Sequence, residues 1–92
     1  MRKDVIVQAL PVLGEQIKFK QEMADEYLMK YQLHGYESYA NVAAKYQHDA
    51  NVLAELYNDL AAELDRQRQH SAKVAKLLRG VERLALDRQR HQ

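Results

Sequence analysis

The sequence predicts an all-α protein, an antiparallel helical hairpin whose second helix is much longer than its first. Three observations favour this class. Alanine and leucine are abundant while threonine, cysteine and tryptophan are absent, a composition typical of helices. Apolar residues recur every three or four positions nearly throughout, and no segment alternates as a strand would. Gly35 separates two such periodic segments and suits a helix end.

The first helix is expected to span residues 11–33. Pro11 suits a first helical turn, where its missing N–H would have no partner in any case. A longer helix, capped at Asp4 and kinked by Pro11, is the alternative, so residues 1–10 are expected to form an N-terminal segment or a short helix. The apolar row that defines the first helix is Leu10, Ile17, Ala24 and Tyr31, spaced seven apart.

A reversal of the chain is expected at residues 34–37. Gly35 suits the left-handed backbone conformation that commonly ends a helix, and Ser38 suits the N-cap of the next helix. The second helix should therefore begin at residue 38 and run antiparallel to the first.

The second helix is expected to reach residue 88 or 90. Its apolar rows keep a seven-residue register that only a polar layer around residues 67–71 interrupts. A turn would not need to preserve this register, and the layer contains no glycine or proline, so a continuous helix is favoured. The rows are Tyr39, Tyr46, Leu53, Leu60, Gln67, Val74 and Val81, and Ala43, Ala50, Tyr57, Leu64, Ser71, Leu78 and Ala85.

The unequal helix lengths leave the end of the second helix without cover. A break near 65–71 would remove the problem by giving a three-helix bundle, with helices at about 11–33, 38–64 and 71–90. With a continuous helix, a second chain must cover the last apolar stripe, because full burial of each such side chain contributes roughly 1.5–3 kcal/mol. The predicted self-association residues are Val74, Leu77, Leu78, Val81, Leu84 and Ala85.

Charge is divided unevenly along the chain. Residues 1–65 carry six Lys/Arg and eleven Asp/Glu, a net charge of −5, whereas residues 66–92 carry eight and two, a net charge of +6. This division favours either a basic segment that binds a polyanion or two complementary halves that pair within or between chains.

Acidic and aromatic residues provide candidate contacts for a partner protein. Glu55, Asp59 and Glu63 repeat every four residues, so their carboxylates should line one ridge that attracts a basic partner, including the C-terminal segment of a neighbouring copy. Tyr36 and Tyr39 lie beside the turn, where an exposed aromatic patch is suited to a protein interface.

The basic segment also supports an alternative, which is binding to nucleic acid. The stretch LDRQR occurs at 64–68 and again at 86–90. The segment has no aromatic residue to stack on bases and acidic residues interrupt it, which favours an ordinary solvated helix surface. The candidate phosphate contacts are Arg66, Arg68, Lys73, Lys76, Arg79, Arg83, Arg88 and Arg90.

Most chemistry is disfavoured by the residue types present. Cysteine is absent, the Glu-x-x-His motif of di-iron helical bundles is absent, and the four histidines are scattered. We therefore expect no catalytic, cofactor-binding or metal site and no small-molecule substrate. No apolar run approaches the roughly 20 residues of a membrane span, so a cytoplasmic protein is expected.

The expected function is association without catalysis. The chain should form a single helical domain over residues 1–92 that assembles with itself as a homodimer or higher oligomer and contacts another protein, as an adaptor or inhibitor. Its two contact surfaces would be the acidic, tyrosine-bearing hairpin and the apolar C-terminal seam. The alternative is a nucleic-acid-binding accessory protein that uses residues 66–90.

Overall fold

The computed structural model describes the backbone of residues 2–90 and the side chains of residues 2–84. Within that range the chain forms two helices, α1 (Lys3–His34, 32 residues) and α2 (Glu37–Arg90, 54 residues), which pack as an antiparallel hairpin. The hairpin measures 86 × 17 × 15 Å. The predicted hairpin with a long second helix is thus confirmed. The three-helix alternative is wrong, because α2 continues through residues 65–71 without a break.

The start of α1 differs from the favoured expectation. The helix begins at Lys3, and Pro11 lies inside it, at a cost of about 3 kcal/mol for the lost hydrogen bond and the ring clash. Ile6 precedes the proline and is fully buried, so its packing offsets part of that cost. Asp4 is not the N-cap, since Arg2 holds that position without a side-chain hydrogen bond.

Gly35 ends α1 as predicted. Its φ of 73° and ψ of 9° are left-handed, and its N–H donates to the carbonyl oxygen of Tyr31 over 2.7 Å. The prediction that Ser38 caps α2 is wrong, because α2 begins at Glu37 and Ser38 lies in its first turn. With the reversal made at Gly35, the helix resumes one residue earlier than expected.

Small side chains bring the two helices together. Gly14 faces Tyr57, whose Cε2 atom lies 3.9 Å from the position that a Cβ on Gly14 would occupy. The ring therefore packs over the glycine in ordinary van der Waals contact, so a small residue on one helix accommodates a large one on the other. The buried apolar side chains of the described region are Ile6, Ala24, Ala43, Ala50 and Leu64.

The cover that α1 provides ends near residue 67 of α2. The apolar rows of α2 are buried or half-buried at every position from Tyr39 to Leu64, and Gln67 is half-buried. Lys3, at the start of α1, lines a surface cleft with His70 and Ser71, so α1 begins beside the polar layer. Residues 71–90, which we call the tail, therefore extend beyond α1 for about 30 Å.

Replacing Gly35 with alanine is expected to destabilise the hairpin. A Cβ in the left-handed region costs about 1–2 kcal/mol, and nothing near Gly35 would compensate for it. The midpoint of urea unfolding should fall accordingly at equal protein concentration. Gly35→Asn, which tolerates this conformation, is the matched control and should lose less. An unchanged midpoint for Gly35→Ala would contradict the assigned turn.

Candidate interaction surface

The tail carries an apolar face that nothing in the described structure covers. Its large side chains are between 39% and 71% exposed. Three of them continue the two seam rows of α2, and two more widen the face on one side. The structure thus brings the predicted self-association residues onto one open helix face; the side chain of Ala85 lies outside the described residues. We call this face the tail seam: Val74, Leu77, Leu78, Val81 and Leu84.

The tail helix lacks the packing that normally stabilises a helix of its length. Most helical stability in proteins comes from the packing of an apolar face, and the apolar face of the tail is not packed in the described structure. Gly80 lies in the middle of the tail and costs about 1 kcal/mol relative to alanine. A Cβ on Gly80 would meet no described atom within 4 Å, so no described neighbour requires the glycine. The tail therefore combines a weak helix with an exposed apolar face.

A second apolar surface lies along one side of the hairpin and was not predicted from the sequence. Four side chains, two from each helix, are between 45% and 59% exposed there. Val12 and Leu56 line one surface groove between the helices, and Val52 lines the adjoining one beside the Lys20–Asp49 ion pair of 3.5 Å. The seven-residue spacing of Val5, Val12 and Phe19 was the signal available for it. We call it the open groove: Val12, Phe19, Val52 and Leu56.

Polar contacts bridge the two helices on the opposite side of the hairpin. Gln21 and Gln47 exchange two side-chain hydrogen bonds of 2.8 and 3.0 Å across the helices. Each amide also donates to a residue one turn further along its own helix, Gln21 to Asp25 and Gln47 to Asn51. Towards the turn the same side also has a groove lined by apolar side chains of both helices, but on its α2 wall these are alanines. The larger apolar side chains of the open groove therefore make it the better surface for a further helix.

The predicted acidic ridge is partly occupied. Glu63 accepts two hydrogen bonds from Arg66, of 3.1 and 2.6 Å, and one of 3.1 Å from Gln67. These hydrogen bonds, those from Arg66 foremost, and the positive charge of Arg66 lower the pKa of Glu63 below its ordinary value. Glu55 and Asp59 form no ion pair with any residue from 2 to 84. Two carboxylates of the ridge thus stay available to a basic partner.

The tyrosines near the turn stack into one cluster. The ring centroids of Tyr27 and Tyr46 lie 6.0 Å apart, and Tyr39 lies 6.1 Å from Tyr27 and 5.9 Å from Tyr36. Tyr36 is 63% exposed, whereas Tyr39 is half-buried between the helices. Of the two predicted partner contacts at the turn, Tyr36 alone presents most of its ring to solvent.

The basic candidates divide into paired and unpaired groups. Arg66 is paired with Glu63, whereas Arg79 and Glu82 form no ion pair although they are one turn apart on α2. The side chains of Arg88 and Arg90 lie outside the described residues. The basic side chains of the described chain after Arg66 that form no ion pair within it are Arg68, Lys73, Lys76, Arg79 and Arg83.

The described residues contain neither a cluster suited to a metal ion nor a membrane-spanning helix. Nowhere in the described part of the chain do three His, Asp or Glu side chains come close enough together to hold a metal ion. Neither α1 nor the described part of α2 has an apolar stretch that could cross a membrane.

Comparison with protein-family models, with curated proteins and with solved structures gives no significant match for this chain. The surfaces described above are therefore interpreted from their own residues.

Removing the arginine that binds Glu63 is expected to raise the pKa of that carboxyl group. NMR titration of the Glu63 side chain should show the pKa move towards the ordinary glutamate value in Arg66→Gln, because the strongest hydrogen-bond donor is lost. Arg68→Gln is the control and should leave it in place. Because the fold lowers this pKa, the Arg66–Glu63 pair stabilises the protein at pH values above the ordinary glutamate pKa. This contribution is lost as the pH falls through the lowered pKa of Glu63. An identical titration in all three proteins would contradict the pairing.

Proposed function

We propose that this protein is a non-enzymatic interaction module that assembles with copies of itself through the tail seam. The single observation that carries this proposal is the row of large apolar side chains that remain open to solvent beyond residue 71. Scattered apolar residues are common on protein surfaces, but a contiguous face rimmed by charged residues is typical of an interaction site.

The register of α2 supports the proposal. Val74, Leu78 and Val81 keep the heptad positions that Leu53, Leu60 and the other seam residues use against α1. Helices that bury such a face normally do so against a further helix. A second chain supplies one, since α1 begins beside the polar layer and covers nothing beyond it.

The turn end of the hairpin gives the assembly a second contact surface. Tyr36 is exposed there, as are Leu33 and Met29 on α1. This end lies at the opposite end of the molecule from the tail, so it stays accessible when the tail is occupied. An adaptor or inhibitor that holds its partner at the hairpin turn and assembles through its tail fits this arrangement.

The wild-type chain is expected to exceed its monomer mass of 10.7 kDa in light scattering after size exclusion at micromolar concentration. Leu78→Asp should weaken the association roughly 100-fold or more, because a carboxylate would have to leave water on assembly. Leu33→Asp is the matched control: Leu33 is even more exposed than Leu78 but lies at the far end of the hairpin, and its replacement should leave the mass unchanged. A wild-type chain that stays helical and strictly monomeric at high micromolar concentration would refute the proposal.

Nucleic-acid binding is the second candidate, and the unpaired basic residues of the tail favour it. By helical geometry Arg79 and Arg83 point away from the tail seam, so a phosphate backbone could be held without covering the apolar face. Fluorescence anisotropy with labelled duplex and single-stranded oligonucleotides would show binding that weakens roughly tenfold or more between about 50 and 200 mM salt. No binding at the lower salt concentration would remove this candidate.

A further inference from the structure

We infer that the tail of one chain packs into the open groove of a second copy, with the two α2 helices antiparallel and the two tails exchanged reciprocally. This inference rests on the proposed self-association and names the surface that receives the tail. Each half of the dimer would then be a three-helix bundle, made of α1, the covered part of α2 and the tail of the other copy.

The tail could pack against the open groove of the other copy or against its tail, and charge favours the open groove. The tail presents Lys73, Lys76, Arg79 and Arg83 against the single described acid Glu82, so two tails laid side by side would place like charges together. The hairpin body carries the opposite excess, −5 over residues 1–65. Lys73 and Lys76 border the tail seam, and Asp59 and Glu55, which form no ion pair in the described chain, lie on the α2 surface beside the open groove.

The shapes of the tail seam and the open groove also favour their pairing. Leu77 and Leu84 widen the tail seam beyond the two rows that a two-helix contact needs, and a helix that packs between two others needs such a wide apolar face. The open groove offers apolar side chains from both α1 and α2, so it provides two walls for that face. The amide-bridged side also has a groove, between Leu28 of α1 and Ala44 of α2, but its α2 wall consists of alanines and Gln47 lies at its edge, so its apolar side chains are smaller than those of the open groove.

The area favours a reciprocal exchange over a single docked tail. A tail about 30 Å long with a face about 10 Å wide covers roughly 300 Å² on each surface it joins. One contact therefore buries roughly 600 Å² of accessible surface in total. Two contacts bury about 1,200 Å², which is the lower end of the range for specific interfaces. A two-fold arrangement satisfies both tails and leaves no open end for further addition.

The row of α2 residues that faces the open groove sets the register. In sequence order the row contains Val42, Asp49, Leu56, Glu63, His70, Leu77 and Leu84. Antiparallel pairing of this row with itself places Leu77 against Leu56 of the partner subunit and His70 against Glu63 of the partner subunit. A shift of one heptad in one direction places Glu63 against Glu63 of the partner subunit, and in the other direction places Glu63 against Leu77 of the partner subunit. The first register sets Glu63 against an imidazole, whereas one shift places two carboxylates together and the other replaces the imidazole with a leucine, so the first register is preferred. Its least favourable contact is Leu84 against Asp49 of the partner subunit, a carboxylate that Lys20 already pairs with in the described chain.

Disulfide trapping tests this register, since the natural chain has no cysteine. Leu56→Cys combined with Leu77→Cys should give a disulfide-linked dimer on a non-reducing gel. The two positions are about 31 Å apart along one helix, so they cannot join within a chain. Leu77→Cys alone should stay largely unlinked, because the two tails do not meet. Leu56→Cys combined with Leu84→Cys, which tests the shifted register, should also link poorly.

A charge-reversal cycle provides an independent measurement on the full chain. Lys73→Glu and Asp59→Lys should each raise the dimer dissociation constant roughly tenfold at low salt, and the double variant should recover most of the affinity. If the tails paired with each other instead, Lys73→Glu would strengthen the dimer, an effect of opposite sign.

The outcomes separate the two proposals. A monomeric wild-type chain overturns both the proposed self-association and this inference. Three other results keep the self-association and overturn the exchanged arrangement: a dimer in which Leu77→Cys alone links efficiently, one in which the 56/84 pair links as well as the 56/77 pair, and one in which no pair links.

Discussion

The difference in length between the two helices is the constraint on which the rest of this structure depends. α2 has 54 residues and α1 has 32, so an antiparallel α1 cannot reach the last third of α2. The apolar rows nevertheless continue past the point where α1 begins, with the same seven-residue register. The sequence therefore continues an apolar helix face beyond the part of α2 that α1 covers in the described structure.

The polar layer at Gln67, His70 and Ser71 marks the boundary between the covered and uncovered parts of α2. On the hairpin side of it, Ile6 and Leu64 are buried and the helices approach closely over alanine and glycine. On the tail side, the same rows face solvent. A polar layer inside an apolar seam costs stability but fixes which residues face each other, because shifted alignments would bury its polar groups without partners. In the arrangement we propose, this layer lies where the cover of α2 passes from α1 of the same chain to a second copy.

Much of the fold could be predicted from the sequence, because periodicity and a single glycine determine it. The heptad rows identified α2 as continuous, and Gly35 identified the reversal, since few other residues adopt its left-handed conformation. The start of α1 could not be predicted. Pro11 favours a helix start locally, whereas burial of Ile6 offsets part of the cost of the longer helix, and that contact exists only in the folded hairpin. Ser38 failed as a cap for a similar reason, because the geometry at Gly35 decides where α2 resumes.

The candidate surfaces were predictable to different degrees. The tail seam follows from counting residues on each helix, whereas the open groove depends on how far each helix is rotated about its axis. Val12 and Phe19 have a helical spacing that also fits a buried seam, and only the packed pair shows that they remain exposed. The roles proposed for both surfaces rest on their exposure and charge.

Hydrogen–deuterium exchange across a range of protein concentrations tests the central claim most directly. If the tail depends on a second copy, the amides of residues 72–84 should be poorly protected where the chain is dilute and increasingly protected as concentration rises. The amides of residues 43–64, which α1 covers, should keep the same protection throughout. Protection of residues 72–84 that does not change with concentration, whether high or low, would contradict the account.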